Sequence, residues 1–519
     1  MSKSSESLTI VHDKTSSSDG SVSKKLKERE SKELVIAFSG AVGCGLQKSV
    51  EAAKEVLLAE AYEIKEIKVS DLIRKAVKIA RIDVDLDDKN GKKRIILLQK
   101  AGNELRSKFN NEILAGLVVT EISTYRKEKQ LDRSDGGLSE YIPPKIAYLV
   151  NQLKHPDEVE LLKIIYGDLF YLIGVLASEN IRKATLIDEG LGEVDAAEVM
   201  DNDRKQDISH GQQLEKTLLL ADFFIRDNHS NNKILAKQLE RFIQLMHGYN
   251  GITPTHDEFG MYTAYSASLK SSCLSRQVGA SITSKQGIII ATGCNDVPKS
   301  KGGLYTERDN PDNRCINKGL CSNDKYKDKL CSEISQILSK ELDMDIGKTN
   351  KIADKIKDNS RLKDLIEFSR SVHAEMDAII SVAREGGASI QGSALFTTTF
   401  PCHNCARHII ASGIETVVYI EPYEKSLALQ LHGDDISYDP SETENKTNKV
   451  IFLHFEGVSP RQYMSFFCSK GDKKDSKGKV IKNTIHPRHK VAREYLDSYQ
   501  DFEKKVVSDI KAKNLIECE

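Results

Sequence analysis

"SALFTTTFPCHNCARHIIASGIETVVYIEP", residues 393–422, reads as strand, helix and strand in immediate succession. SALFTTT and TVVYIEP are short β-rich runs. Between them Ala406, Ile409 and Ile410 face inward at helical spacing and Gly413 stops the helix. Just upstream, SVHAEMDAIISVAREGG (371–387) predicts another helix, with Met376, Ile379, Ile380 and Ala383 on one apolar stripe and Gly386-Gly387 at its end. VGASITSKQGIIIATG (278–293) is two strands around a Lys-Gln-Gly turn, a hairpin. The polar stretch at about 298–365, with one helix-like segment (KDKLCSEISQILSKEL), reads as an insertion. Residues 434–450 and 469–482 read as charged, loop-like excursions.

Residues 33 to about 230 alternate short apolar runs with amphipathic stretches. ELVIAFSG, AYEIKEIKVS, PKIAYLVNQL, GDLFYLIGVLAS and LADFFIRDN predict strands. QKSVEAAKEVLLAEA and GNELRSKFNNEILAGLVVTEISTYR predict helices between them, which argues for a parallel sheet covered on both faces. Residues 1–31, rich in Ser, Lys and Glu, predict a flexible tail. The chain thus divides into a tail (1–31), an α/β unit (32–245), a second α/β unit (250–500) and a C-terminal tail (501–519).

Lys and Arg number 76 against 77 Asp and Glu, a net charge of −1. No basic stripe stands out for gripping a long nucleic acid, which favours a small substrate over a polymer. No apolar run has the length of a membrane span, and no signal-peptide core is visible. The ten cysteines are thinly spread, so a reduced, cytoplasmic setting is expected.

Cys402 and Cys405 lie three apart at a predicted helix start, so their sulfurs share a face and the helix N-terminus favours thiolate. Pro401 suits a first helical position. Two thiolates suit zinc; a structural site would need two further ligands at similar spacing, whereas a catalytic site needs one and keeps a position open. His373 is the best third ligand because Glu375 accompanies it, with His403 and His408 as alternatives. Positions 373 and 375 converge only where backbone geometry is not yet helical, and the predicted helix boundary falls there. His-Ala-Glu followed by Pro-Cys-His-Asn-Cys matches the signature of zinc nucleobase deaminases. Cys315, Cys321 and Cys331, with five and nine residues between them, fit no common metal spacing, and a second ion is not expected.

SRQVGASI, IIIATGCNDVP, VHAEMDAI, LFTTTFPCHNCARHIIASGI and VVYIEPY carry a resemblance of residues 258–425 to the deoxycytidylate branch of the cytidine deaminase-like superfamily. GQQLEKTLLLADFFIRDN, HPDEVELLKIIYGDLFYLIGV and EFGMYTAYSASLKSSCLSRQVGASI extend it, making the whole chain similar to the bacterial anti-phage dCTP deaminases. The resemblance implies a cytidine deaminase-like α/β/α sandwich and one zinc ion held by His373, Cys402 and Cys405. It also implies proton shuttling by Glu375, and hydrolysis of dCTP or dCMP to the deoxyuridine nucleotide and ammonia. It further implies a base and sugar contact from Asn295 and a pocket lined by Ala374 and Thr397-Thr398. Tyr419 or Tyr423 would stack near the substrate, and the assembly would be a homo-oligomer that drains the dCTP pool during phage infection.

The N-terminal unit resembles a P-loop nucleotide-kinase fold. Its FSGAVGCGLQKS follows a predicted strand and opens a predicted helix, with Gly40, Ala41, Val42, Gly43, Cys44, Gly45, Leu46 and Gln47 as the candidate nucleotide-binding loop. Gly40 and Gly45 have the phosphate-loop spacing, but Leu46 and Gln47 stand where Lys and Ser or Thr belong, and Lys48-Ser49 come two residues late. The third strand ends in Asn151-Gln152, not in an acid for magnesium. A regulatory nucleotide, active phosphoryl transfer and a purely structural role stay open for this unit. For the whole chain, a bifunctional kinase-deaminase and a nucleic-acid cytosine editor remain as alternatives.

Overall fold

LVIAFSG, residues Leu34–Gly40, is buried along its whole length, as a central strand covered on both faces must be. In the computed structural model it forms β1 of a sheet with β2 (Glu63–Lys68), β3 (Ile146–Asn151), β4 (Phe170–Leu176) and β5 (Phe223–Arg226). The structure describes residues 31–84, 86, 91–129, 145–204, 211–226, 232–249, 251–423, 426–438, 448–468, 473–480 and 496–515. Residues 1–30 of the expected N-terminal tail, 439–447 of the expected excursion at 434–450, and 469–472 with 481–482 of that at 469–482 lie outside these residues.

A second sheet contains β6 (Gly279–Thr283), β7 (Ile289–Cys294), β8 (Ala394–Thr399), β9 (Thr416–Glu421), β10 (Ile436–Ser437) and β11 (Val450–His454), in the order β10-β11-β9-β8-β6-β7. β6 and β7 form the predicted antiparallel hairpin, while β8, β9, β11 and β10 run parallel. The first sheet has the order β5-β4-β1-β3-β2, all parallel. It is extended at the β5 edge by β12 (Gly457–Val458), which arrives antiparallel from beyond the second sheet.

The two units share one core. Met261 and Ala264 of helix His256–Ser268 (unread in the sequence), with Phe396 and Val418 of the second sheet, belong to the same apolar cluster as β1, β3 and β4. Glu258, buried in that helix, takes Arg241 through both guanidinium Nη atoms at 2.7 Å and accepts the Val458 amide at 2.8 Å. Along the same seam Tyr419 contacts His454 Nε2 at 3.1 Å, and Arg226 Nη1 donates to the His454 carbonyl at 3.3 Å.

Three expectations change. The segment 102–126, read as one helix, is two, Gly91–Lys108 and Ile113–Glu128, parted at Phe109–Glu112. The insertion carries a helical hairpin, Ser322–Leu342 and Ile346–Asn359, whose buried Ser335 and Thr349 hydroxyls pair at 2.9 Å. That polar seam hid its periodicity. Residues 501–519, read as a tail, mostly belong to helix Leu496–Ala512, which packs on helix 113–128. There Arg126 bridges Glu33, at 2.9 Å through Nη2, and Glu503, with Tyr499 donating to Glu33 Oε2 at 2.6 Å. Its apolar side, Tyr499, Val506 and Ile510, enters the first core, and the ionic contacts lie beside it.

Candidate active site and metal centre

Two helix N-termini meet at the end of β8. His373 is the N-cap of helix Ala374–Glu385, with extended φ −77° and ψ 155°. This non-helical geometry lets positions 373 and 375 converge. Cys402 is the N-cap of helix His403–Ala411, and its sulfur accepts the Cys405 amide at 3.5 Å. The helix therefore starts after Cys402, two residues later than the expected start at Pro401. The side chain of the cap is already committed to the third residue of the turn, as caps are.

Cys402 Sγ and Cys405 Sγ lie 3.2 and 3.3 Å from His373 Nδ1. Among the described residues these three form the one group of His, Cys, Asp or Glu side chains with ligand atoms all within 4.8 Å of one another. Tetrahedral zinc, with Zn–N near 2.0 Å and Zn–S near 2.3 Å, would set nitrogen and sulfur about 3.6 Å apart. The donor set fits zinc to within a few tenths of an ångström. Of the alternative ligands, His403 faces Glu367 at 3.7 Å and His408 contacts the Asn404 carbonyl at 2.7 Å, so neither joins the group. Cys315, Cys321 and Cys331 form no such group either.

Glu375 is 4% exposed and stays outside the donor triangle, with Oε2 receiving the Cys405 thiol at 3.5 Å. Its burial pushes the carboxyl up. Hydrogen bonding from Cys405 and from the imidazole pulls the Cys402 thiol well below the usual thiol range, against its burial. The same contact pushes the His373 imidazole up to about 9, against its desolvation. The site favours a thiolate next to a positive charge.

The apolar stripe expected for helix 374–385 is displaced. Ala374, Glu375 and Ala378 face inward, Met376 and Ile379 are half-buried, and Ile380 is 43% exposed. β7 determines this, because Gly293 packs directly on the helix backbone and only small residues fit opposite. Asp377 reinforces the contact by accepting the Cys294 amide at 3.1 Å.

Around this centre, Ala374 is fully buried and Thr397 and Thr398 close the end of β8. Thr398 Oγ1 accepts the Gly279 amide at 3.2 Å. Asn295 spends both ends on the backbone: Oδ1 accepts the Val278 amide at 2.7 Å and Nδ2 donates to the Arg276 carbonyl at 2.9 Å. The two tyrosines separate. Tyr419 is buried edge-on against Phe400, with ring centroids 4.9 Å apart, and is a core residue. Tyr423 is half-buried against the cluster that includes Cys402 and Cys405, and its hydroxyl is pushed up to about 12 by burial and by the Cys402 charge. Arg276 lies 5.6 Å over the Tyr423 ring and 3.6 Å from Glu421. Sequence reading missed Arg276, an isolated cation between a serine and a glutamine.

In the N-terminal unit, the loop 40–45 leaves the end of β1 and Gly45, with φ 73°, caps helix Leu46–Ala59. Lys48 is exposed. Asn151 and Gln152 act on the loop itself, through Gln47 Oε1 at 2.8 Å and the Gly40 carbonyl at 3.2 Å.

An imidazole, two cysteine sulfurs and an unligated buried carboxylate at paired helix starts define a zinc deaminase of nucleobases. The chain belongs to the cytidine and deoxycytidylate deaminase family. The model of the cytidine and deoxycytidylate deaminase zinc-binding region matches residues 254–421. Deoxycytidylate deaminase of Enterobacteria phage T2 is 32% identical over 163 residues, 31% of this chain and 78% of the relative. The enzyme of that name from phage T4 is 30% identical over 190 residues, 36% of this chain and 90% of the relative. A solved dCMP deaminase from cyanophage S-TIM5, in complex with dCMP and dUMP, is 20% identical and covers 39% of this chain and 98% of its own, with a TM-score of 0.22. Among the described residues no helix is long and apolar enough to cross a membrane.

Proposed function

We propose that the chain hydrolyses the exocyclic amine of a deoxycytidine nucleotide, dCMP, dCTP or both, releasing ammonia and the deoxyuridine nucleotide. One observation carries this reading: His373, Cys402 and Cys405 converge as metal donors while Glu375 stands beside them, buried and unligated. Zinc held by these three supplies Lewis acidity that makes water nucleophilic at neutral pH. Glu375 takes one proton from the attacking water and gives it to ring N3, then carries the second proton from the new C4 hydroxyl to the departing amine, leaving the C4 carbonyl and ammonia. The Ala374 backbone and Thr397-Thr398 wall the base, and Tyr423 with Arg276 forms the rim. Asn295 fixes the 276–278 turn from which sugar and base are met. Tyr419 supports the pocket from behind through Phe400.

The names of the phage relatives support a deoxycytidine nucleotide as substrate. The further reading, a cytoplasmic homo-oligomer that takes dCTP and drains its pool during phage infection, rests on the resemblance of the whole chain. A P-loop kinase-like N-terminal unit that holds a regulatory nucleotide belongs to the same proposal. Chromatographic assay of purified protein against dCMP, dCTP, CMP and CTP tests it, with Glu375→Ala as control. Conversion of the deoxy substrates by the wild type alone is expected. Turnover of none of the four overturns the reading.

A further inference from the structure

The loop 40–45 stands where parallel α/β sheets take their ligands. It leaves the C-terminal end of β1, whose neighbours β3 and β4 lie on opposite sides, at the point where strand order reverses. A carboxylate from elsewhere in the chain reaches this loop. Asp203, at the end of helix Glu193–Arg204 and 6% exposed, accepts the Val42 amide through Oδ2 at 2.9 Å. Its Oδ1 accepts Lys154 Nζ at 2.8 Å and Gln99 Nε2 at 3.1 Å. Arg182 Nη2 lies 3.8 Å from Oδ2, and Arg182 Nε donates to the Val42 carbonyl at 2.9 Å.

A loop amide, an ammonium, a guanidinium and a side-chain amide thus point at one anion. That is the donor set a phosphate takes in such a loop. The lysine is Lys154, just beyond β3, and not Lys48 of the loop helix. We propose that Asp203 is an internal anion closing a polyphosphate site at residues 40–45, and that the phosphates of a nucleotide bind there by displacing it.

Lys154 and the Val42 amide hold the Asp203 carboxyl below its usual range despite the burial that opposes them, so the occupant is charged at neutral pH. Removing that charge leaves Lys154 and Arg182 unopposed, which raises the site's affinity for anions. Helix 193–204 meets the loop through Asp203, through Arg182, and through Val42, which packs on the cluster of Ala196, Val199 and Met200. The backbone leaves little slack, because a Cβ on Gly43 would stand 2.5 Å from the Arg182 carbonyl. A phosphate on Val42 therefore moves Asp203 out and loosens the end of its helix.

Calorimetric titration of the full chain with Mg-ATP, and separately with inorganic triphosphate, tests this in wild type, Asp203→Asn and Asp203→Asn/Lys154→Ala. The neutral variant should bind at least tenfold more tightly than wild type, and loss of Lys154 should remove the gain. Gain with both probes marks a polyphosphate site; gain with ATP alone marks one that also reads the nucleoside. A folded Asp203→Asn protein with no gain for either probe overturns the proposal. Hydrogen exchange gives a second reading in wild type alone, should the variant fail to fold. Millimolar ATP should raise exchange across 193–204, and unchanged exchange overturns the proposal. Neither readout uses deamination, so the result is separate from that of the proposed activity.

Discussion

A β-carbon on Gly293 would lie 2.2 Å from the carbonyl oxygen of Ala374. The missing side chain lets β7 press on the helix whose cap is His373 and whose first turn carries Glu375. Gly293→Ala should push that helix away. Overpacking of this kind costs about 1–3 kcal/mol, and a displacement near 1 Å costs on the order of a hundredfold in rate. The variant should melt a few degrees lower and lose deaminase kcat far beyond what its folded fraction explains. Unchanged kcat would show that the contact does not position the site.

His454 sits between the two sheets with its imidazole depressed to about 4, by burial first and then by Arg226 and Arg182. The unfolded chain takes up a proton near pH 6.5 and the folded chain only near 4. This histidine's contribution is therefore present above pH 6.5, is lost progressively between 6.5 and 4, and is constant below. The loss is on the order of 3 kcal/mol. His454→Gln should flatten the urea-midpoint profile in that window while leaving the profile above pH 7 parallel to wild type.

Arg126 is 1% exposed and serves two buried acids, Glu33 and Glu503, which come from the two ends of the described chain. Arg126→Ala leaves both uncompensated and should lower stability by about 3–5 kcal/mol. Lysine should not rescue it, because three guanidinium nitrogens are used. Chemical denaturation measures this, and the fraction that stays folded should keep wild-type specific activity, since the triad lies outside the metal centre.

Asn295→Ala removes both clamps on the 276–278 turn. It should raise KM for the deoxycytidine nucleotide roughly tenfold with a smaller change in kcat, the pattern of lost ground-state binding. Steady-state kinetics separate this from a loss of chemistry, which would leave KM unchanged.

The metal centre was legible because its chemistry is local: two helix starts fix four residues, and each helix announces itself by its own spacing. The strands β1, β3, β4 and β5 of the first sheet were legible as apolar runs buried on both sides, and the edge strand β2 by its alternation of Ile with charged residues. Asp203, Lys154 and Arg182 were not, since they come from three separate segments and meet only when the sheet is assembled. The inward face of helix 374–385 was misread because hydrophobicity favoured Ile380, whereas the Gly293 contact selects Ala374 and Ala378. The docked helix 496–512 was missed although Tyr499, Val506 and Ile510 face the core, because the charged Glu503 stands among them and is buried only by pairing with the distant Arg126.

The central claim is that Glu375 moves the proton at a zinc site made by His373, Cys402 and Cys405. It is tested most directly by ammonia release from dCMP and dCTP, with zinc content determined on the same samples of wild type and Glu375→Ala. The account predicts one zinc per chain in both proteins and ammonia from the wild type alone. Wild-type protein without zinc, or comparable ammonia release from Glu375→Ala, would contradict it.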